Sequence, residues 1–232
     1  MKKPLVIGVL LLVLSGVALG AEAEPSEQLL NWEQLPPLPK DGSLEGMYMG
    51  VSNGALIAAG GANYPDKAYG EEGKKLAHDT IYVLEKPDGD WRLAAEKLPQ
   101  PMAYGVSVSD EKGLVCIGGE DNEKSFSDVF VLEGVNGQIV KTSFPSLPRG
   151  CGQACGALLG KTIYVAGGRD SPKADRSIHT FWALDLAQPS EQMKWQILDP
   201  WPGPARHLAG SAVQAGSFFL FSGISPQPPQ ED

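Results

Sequence analysis

Three cysteines, three histidines and a minority of basic side chains in 232 residues limit what this chain can be. So few cysteines cannot staple a small secreted scaffold, and no Cys/His cluster has the spacing of zinc ligands. Cys151 and Cys155 sit four positions apart in what reads as a strand. At ~3.3 Å per residue that separates them by about 13 Å, beyond the ~7 Å Cα reach of a disulfide. Cys116 lies inside an apolar run, where a thiol acts as a small hydrophobe, so all three are expected to be packed thiols. Lys and Arg number 19 against 28 Asp and Glu, and the net charge of −9 argues against nucleic acid and anionic membrane surfaces as partners. Helical periodicity of useful length is also missing.

What is present is glycine, proline and short apolar runs. Gly 28 and Pro 19 describe a turn-rich chain, and 42% hydrophobic residues suffice for a core while excluding disorder. Residues 1–23 stand apart, with Lys2 and Lys3 as a charged start, Leu5 to Leu14 as an apolar centre and Ala21-Glu22-Ala23 as a small-residue cleavage site. They read as a signal peptide, followed by a polar linker over 24–30. No Cys flanks the cleavage site to carry a lipid, so the exported form is expected without membrane insertion and with a net charge of −10. The other reading, an uncleaved anchor, needs ~20 apolar residues, more than this run supplies.

Ala55-Leu56-Ile57-Ala58-Ala59-Gly60-Gly61 is a short apolar run closed by a glycine pair, and the pattern returns three times. Leu114 to Gly119 and Ile163 to Gly168 repeat it closely, and Phe218 to Gly223 repeats it with Ser222 in place of the first glycine. The second glycines lie 58, 49 and 55 residues apart, bracketing the roughly 50-residue period of a kelch blade. Each copy follows a proline turn, a small-residue strand and a tight turn such as Asn53-Gly54. The expected strands are Gly46 to Ser52, Ala55 to Gly61, Thr80 to Glu85 and one opened by Trp91. The second repeat is expected over Ala103 to Asp110, Gly113 to Gly119, Asp128 to Glu133 and Ile139 to Phe144. The third is expected over Cys151 to Leu159, Lys161 to Gly168, Thr180 to Leu186 and Lys194 to Asp199.

Four antiparallel strands per unit at this period make an all-β, kelch-type β-propeller. The domain is expected over 31–223, with blades at about 44–94, 103–144 and 151–199 and part of a fourth at 207–223. A β-sandwich, the rival fold, predicts no such self-similarity. His207 to Gln214 and Ser217 to Gly223 supply two strands of the fourth blade, whereas the polar tail 224–232 is too rich in proline to supply a third. Asn31 to Leu35, with Trp32, is expected as a strand able to close this blade, leaving an open edge through which copies would associate.

Trp32 to Gly61, the loop Gly73-Lys74-Lys75-Leu76-Ala77-His78, Ala103-Tyr104-Gly105-Val106-Ser107 and Ile117-Gly118-Gly119-Glu120 together carry a family resemblance. Over about residues 30–223 the chain resembles the kelch-type sialic acid mutarotases, the N-acetylneuraminate epimerases. Its blade order is similar to that of the cyclically permuted mutarotase family, whose complete members look six-bladed. The resemblance implies interconversion of the α and β anomers of N-acetylneuraminate in the periplasm, by acid/base ring opening, without metal or organic cofactor. It also places the family's base, a Glu after a glycine-containing strand end, in a blade beyond residue 223, so weak turnover, or binding without turnover, is expected of residues 1–232. A copper radical oxidase, also built on such repeats, would need a convergent Tyr/His set that three histidines do not provide.

In an antiparallel meander the loops after the glycine pairs and after the proline turns share one rim, which collects Asn63, Tyr64, His78, Glu120, Arg149, Arg169 and Arg206. Glu120 is the candidate acid or base, or else a solvated loop carboxylate beside Asp121. Arg149 and Arg206 precede inner strands, where each forks onto a substrate carboxylate or ties blades together. His78 exchanges protons near neutral pH or holds its loop. Arg169 faces substrate or forms a surface pair with Asp170 or Asp175. Tyr104, on an inner strand, lines the channel or packs.

Overall fold

The computed structural model of the protein describes residues 31–39, 44–66 and 73–226. The expected signal peptide (1–23), the linker (24–30) and the end of the tail (227–232) lie outside the described residues. The chain divides into two compact units, Met1–Gln34 and Leu35–Asp232. Residues 31–35 form no strand, contrary to the sequence expectation, and Trp32 is 85% exposed. A strand persists only with a ladder partner, and Pro36 and Pro37 interrupt pairing at once.

The second unit is a kelch-type β-propeller, and no helix occurs among the described residues. Its first blade pairs β1 (Tyr48–Ser52), β2 (Ala55–Ala59), β5 (Ile81–Leu84) and β6 (Arg92–Leu93) in that order. The loop between the second and third of these carries a small hairpin that the sequence did not announce, β3 (Ala62–Asn63) with β4 (Leu76–Ala77). The second blade orders β7 (Val106–Ser109), β8 (Leu114–Ile117), β9 (Val129–Val135) and β10 (Gln138–Ser143). The third orders β11 (Cys155–Leu159), β12 (Thr162–Ala166), β13 (Phe181–Asp185) and β14 (Gln196–Leu198). Among the described residues the fourth blade holds β15 (Gly210–Gln214) and β16 (Ser217–Phe221) alone. The inner strands β1, β7, β11 and β15 lie side by side in chain order.

Small inner-strand residues let neighbouring blades touch backbone to side chain. The Ser107 and Ser109 hydroxyls accept from the Met49 and Val51 amides at 3.1 and 3.0 Å, and Ser52 Oγ accepts from the Gly134 amide at 3.0 Å. Apolar layers fill the space between blades. Tyr48, Ile57, Ile81, Leu114, Phe130 and Leu132 join the first blade to the second, and Val106, Val115, Ile163, Val165, Trp182 and Leu184 join the second to the third. Each tryptophan that opens an outer strand is pinned to the proline turn before its own blade, Trp91 Nε1 donating to the Pro36 carbonyl and Trp195 Nε1 to that of Pro145, both at 2.8 Å. All three cysteines are buried and free, and burial pushes the Cys151 thiol up to about 12.

The glycine pairs are where blades meet most closely. The first glycine of each pair takes a left-handed φ, 66° at Gly60, 62° at Gly118 and 68° at Gly167. A Cβ there would stand 2.4, 2.3 and 2.3 Å from the carbonyl oxygens of Met102, Cys151 and Arg206 in the following blade. The second glycine then donates its amide to that same carbonyl, Gly61 to Met102 at 3.0 Å, Gly119 to Cys151 at 2.8 Å and Gly168 to Arg206 at 2.9 Å. Ser222 holds the same φ, 61°, in the fourth blade. The positive φ values also end the second strands two residues before the boundaries expected from sequence, since a pleated ladder cannot continue through them.

Gly118→Ala is expected to destabilise the fold by about 3 kcal/mol, because it combines backbone strain with a collision against the Cys151 carbonyl. Gly160→Ala is the control, since Gly160 shares a φ of 62° but meets nothing within 4 Å, and it is expected to cost about 1 kcal/mol. Urea denaturation of both variants checks the difference.

Candidate active site

The inner end of each blade is built on one register. Glu45, Ala103, Gly152 and His207 bridge to Ala62, Glu120, Arg169 and Ile224, the residues directly after the glycine pairs. The next residues, Gly46, Tyr104, Gln153 and Leu208, all take left-handed φ values of 66°, 56°, 57° and 51°. Their backbones are joined from blade to blade, with Tyr104 N donating to Gly46 O and Gln153 N to Tyr104 O at 2.7 Å, and Leu208 N to Gln153 O at 2.8 Å. This turn explains why the inner strands begin later than expected. Strain of this kind in non-glycine residues persists only where surrounding bonds enforce it, and it concentrates at sites.

The backbone belt therefore presents two side chains per blade. The first blade offers almost nothing, Gly46 and Ala62; the second offers Tyr104 and Glu120; the third offers Gln153 and Arg169; the fourth offers Leu208 and Ile224, each 52% exposed. The polar chemistry sits in the second and third blades, with an apolar flank at the fourth.

Glu120 is 1% exposed, so the reading of a solvated loop carboxylate is corrected. Gln153 Nε2 donates to Glu120 Oε1 at 2.7 Å, and Ser125 Oγ lies 3.5 Å from Oε2. The carboxylate fits because Gly152 has no side chain, a Cβ there falling 2.3 Å from Oε2. Burial raises the Glu120 pKa, against the lowering effects of the Gln153 bond, the Lys75 and Arg169 charges and Ser125. A buried carboxyl of raised pKa holds or releases a proton closer to neutrality than an exposed one.

Tyr104 lies beside it. Its ring occupies the space that a side chain on Gly46 would fill, a Cβ there standing 2.7 Å from Tyr104 Cδ1. Lys75 Nζ sits 4.6 Å from the ring centroid, and Asn122 Nδ2 donates to the Lys75 carbonyl at 2.5 Å, fixing that loop to the second blade. Burial, interaction with Glu45 and the nearby Tyr64 and Glu120 charges raise the Tyr104 pKa. Glu45, Lys75 and Gln153 were not selected from the sequence. The signal that finds Gln153 and Tyr104 is spacing, since both stand fifteen residues before their blade's second glycine, Gly168 and Gly119.

The remaining candidates separate. His78 is buried, its Nε2 2.9 Å from Asn63 Oδ1, its amide bonded to Gly61 O at 2.9 Å and its carbonyl to Met102 N at 3.1 Å, so both residues hold the loop. Tyr64 stands close enough to Tyr104 to influence its titration. Arg149 is exposed and pairs with Asp170 at 3.4 Å, tying loops rather than entering the cluster. Arg206 Nη1 donates to the Ser222 carbonyl at 2.8 Å within its own blade. Among the described residues Arg169 pairs with neither Asp170 nor Asp175; its Nη2 donates to the carbonyls of Pro172, at 2.9 Å, and Ala174. His207, buried, has Nδ1 2.9 Å from Ser177 Oγ, and burial together with Arg169 lowers its pKa. No group of three or more His, Cys, Asp or Glu among the described residues could hold a metal ion.

A carboxyl whose folded pKa exceeds its unfolded value stabilises the fold below the unfolded value, and that contribution is lost as pH rises through the folded one. The protein is thus expected to lose stability from pH ~4.3 upward through the raised Glu120 value, and Glu120→Gln is expected to flatten that loss. Gly152→Ala, which pushes the carboxylate out of its place, should flatten it too at lower overall stability. Denaturant midpoints measured across pH check all three proteins.

The fold has a known counterpart. The solved structure of YjhT superposes with a TM-score of 0.66 over 82% of this chain and 61% of that one, at 15% identity. The N-acetylneuraminate epimerase of Yersinia enterocolitica is 36% identical over 109 residues, covering 40% of this chain and 27% of that protein. N-acetylneuraminate epimerase 1 of Escherichia coli O6:H1 is 33% identical over 134 residues, covering 50% and 33%. The corresponding Haemophilus influenzae protein is 38% identical over 117 residues, covering 43% and 30%. The alignments thus span about a third or less of these curated relatives' length. The family model for N-acetylneuraminate epimerase matches residues 19–140, which include Glu45, Lys75, Tyr104 and Glu120, and the chain belongs to that family.

Proposed function

We propose that this protein interconverts the α and β anomers of N-acetylneuraminate by acid/base ring opening, after export to the periplasm. The observation that carries the reading is the buried Glu120 carboxyl, held by Gln153 at 2.7 Å in the space left by Gly152. Ring opening needs a proton delivered to the ring oxygen and one withdrawn from the anomeric hydroxyl. A buried carboxyl of raised pKa is suited to deliver the first. Lys75 and Arg169, both close enough to lower the Glu120 pKa, give an otherwise acidic protein local cations for the sugar's carboxylate. The relatives' name supports the substrate, and the charged start, apolar centre and small-residue site of residues 1–23 support export.

Binding without turnover is the second reading, favoured by the fourth blade, which among the described residues has two strands where the others have four. Phe219 and Phe221 on β16 are 48% and 51% exposed and support self-association along that edge. Sedimentation of the purified protein as a monomer at all concentrations would reject such association.

NMR of anomeric equilibration decides between the readings. The protein is expected to raise the rate above the spontaneous one, and Glu120→Gln to lower kcat roughly a hundredfold. Binding of the sugar with no acceleration would reject turnover and leave the binding module.

A further inference from the structure

Among the described residues, the belt exposes an aliphatic pair in the fourth blade alone, and that pair is out of pattern with the polar places before it. In the first blade the equivalent places are closed, the Tyr104 ring filling the space beside Gly46 and Ala62 being wholly buried. In the second and third blades they carry Tyr104, Glu120, Gln153 and Arg169. In the fourth they carry Leu208 and Ile224, each 52% exposed.

Register joins this pair to the site. The Leu208 amide donates to Gln153 O at 2.8 Å, as Gln153 N does to Tyr104 O at 2.7 Å. Neighbouring hydrogen-bonded backbones stand roughly 5 Å apart, so Leu208 starts about 5 Å from Gln153 and about 10 Å from Tyr104. Its φ of 51° matches the 57° of Gln153, so its Cβ leaves the backbone in the same sense. Gln153 reaches back from there to Glu120 of the preceding blade. Ile224 bridges to His207 as Arg169 bridges to Gly152. His207 itself is buried with Nδ1 2.9 Å from Ser177 Oγ, and burial and the Arg169 charge lower its pKa, so it adds no charge to this flank at neutral pH.

We propose that Leu208 and Ile224 form the subsite for the methyl of the sugar's N-acetyl group and select that group over a hydroxyl. This rests on the anomer-interconversion reading for its substrate. N-acetylneuraminate carries a carboxylate, several hydroxyls and a single methyl. Glu120, Gln153, Lys75 and Arg169 suit the polar groups, because covering any of them with a methyl costs solvation without a partner. The acetamido carbon is two bonds from the ring oxygen, so a sugar presenting that oxygen to Glu120 extends its methyl across Gln153 to the fourth blade. An aliphatic flank gains from covering the methyl, whereas a hydroxyl set there is desolvated with nothing to bond.

The test is the ratio of two dissociation constants, for N-acetylneuraminate and for its analogue with a hydroxyl in place of the acetamido group. Both are measured by NMR titration of the whole chain, with anomeric equilibration followed in the same samples. The unsubstituted protein is expected to prefer the acetamido sugar about tenfold, with saturation transfer from the protein strongest at the acetyl methyl. Leu208→Asn and Ile224→Thr are each expected to reduce that preference to about threefold or less, and Leu208→Met to keep it. Asn accepts the left-handed backbone and Thr keeps the branch at Cβ, so the variants retain the fold, and urea midpoints check this. A preference unchanged in both polar variants, lost as fully in Leu208→Met, or absent from the unsubstituted protein overturns the subsite, and accelerated equilibration then leaves the anomer reading standing. The expected preferences without acceleration overturn turnover and keep the subsite in a binding module.

Discussion

One backbone hydrogen bond, from the second glycine of each pair to a carbonyl in the following blade, sets the spacing on which the rest of the structure depends. It forms at 3.0, 2.8 and 2.9 Å in three successive blades. Its partner carbonyl would collide with any Cβ on the first glycine, so the close approach and the residue type are one constraint. The apolar layers between blades follow from that spacing. Tyr48 shows how little slack remains, because its hydroxyl donates to Gly118 O at 2.5 Å while standing 2.1 Å from where a Gly119 Cβ would be.

The same constraint places the site. Holding the glycine pair against the next blade brings the residue after it beside the start of its own inner strand, in the bridges of Ala103 with Glu120 and Gly152 with Arg169. Glu120 is thereby carried inside, where desolvation raises its pKa and Gln153 from the next blade keeps it oriented. Tyr104, with its left-handed backbone, places its ring under the Lys75 ammonium. A buried carboxyl and a phenol of the second blade thus stand beside Gln153 of the third.

The propeller was legible in sequence because its defining contact needs glycine, and glycine leaves a periodic mark. Expected strands and observed ones differ mainly at their inner ends, where the left-handed turns at Tyr104, Gln153 and Leu208 leave no compositional trace. Glu120 was visible as the residue after Gly119, but its burial was not, since it depends on Gly152 and Gln153 more than thirty residues away. Arg149 and Arg206 looked like anion binders, yet each found a protein partner first, Asp170 and the Ser222 carbonyl. Glu45 was passed over because nothing local distinguishes it within the Trp32 to Gly61 stretch; only the blade geometry brings its neighbour Gly46 to Tyr104. Trp32 shows the reverse failure, a strand-like local pattern that forms no ladder.

The belt of Gly46, Tyr104, Gln153 and Leu208 is joined through main-chain atoms alone. Architecture and chemistry are therefore separable there: four unlike side chains occupy equivalent places without altering the frame that carries them. The frame is shared while its contents are coupled between neighbours, since the Tyr104 ring fills the space beside Gly46 and Gln153 holds Glu120 of the preceding blade, so a change of reactivity there involves adjacent blades in pairs.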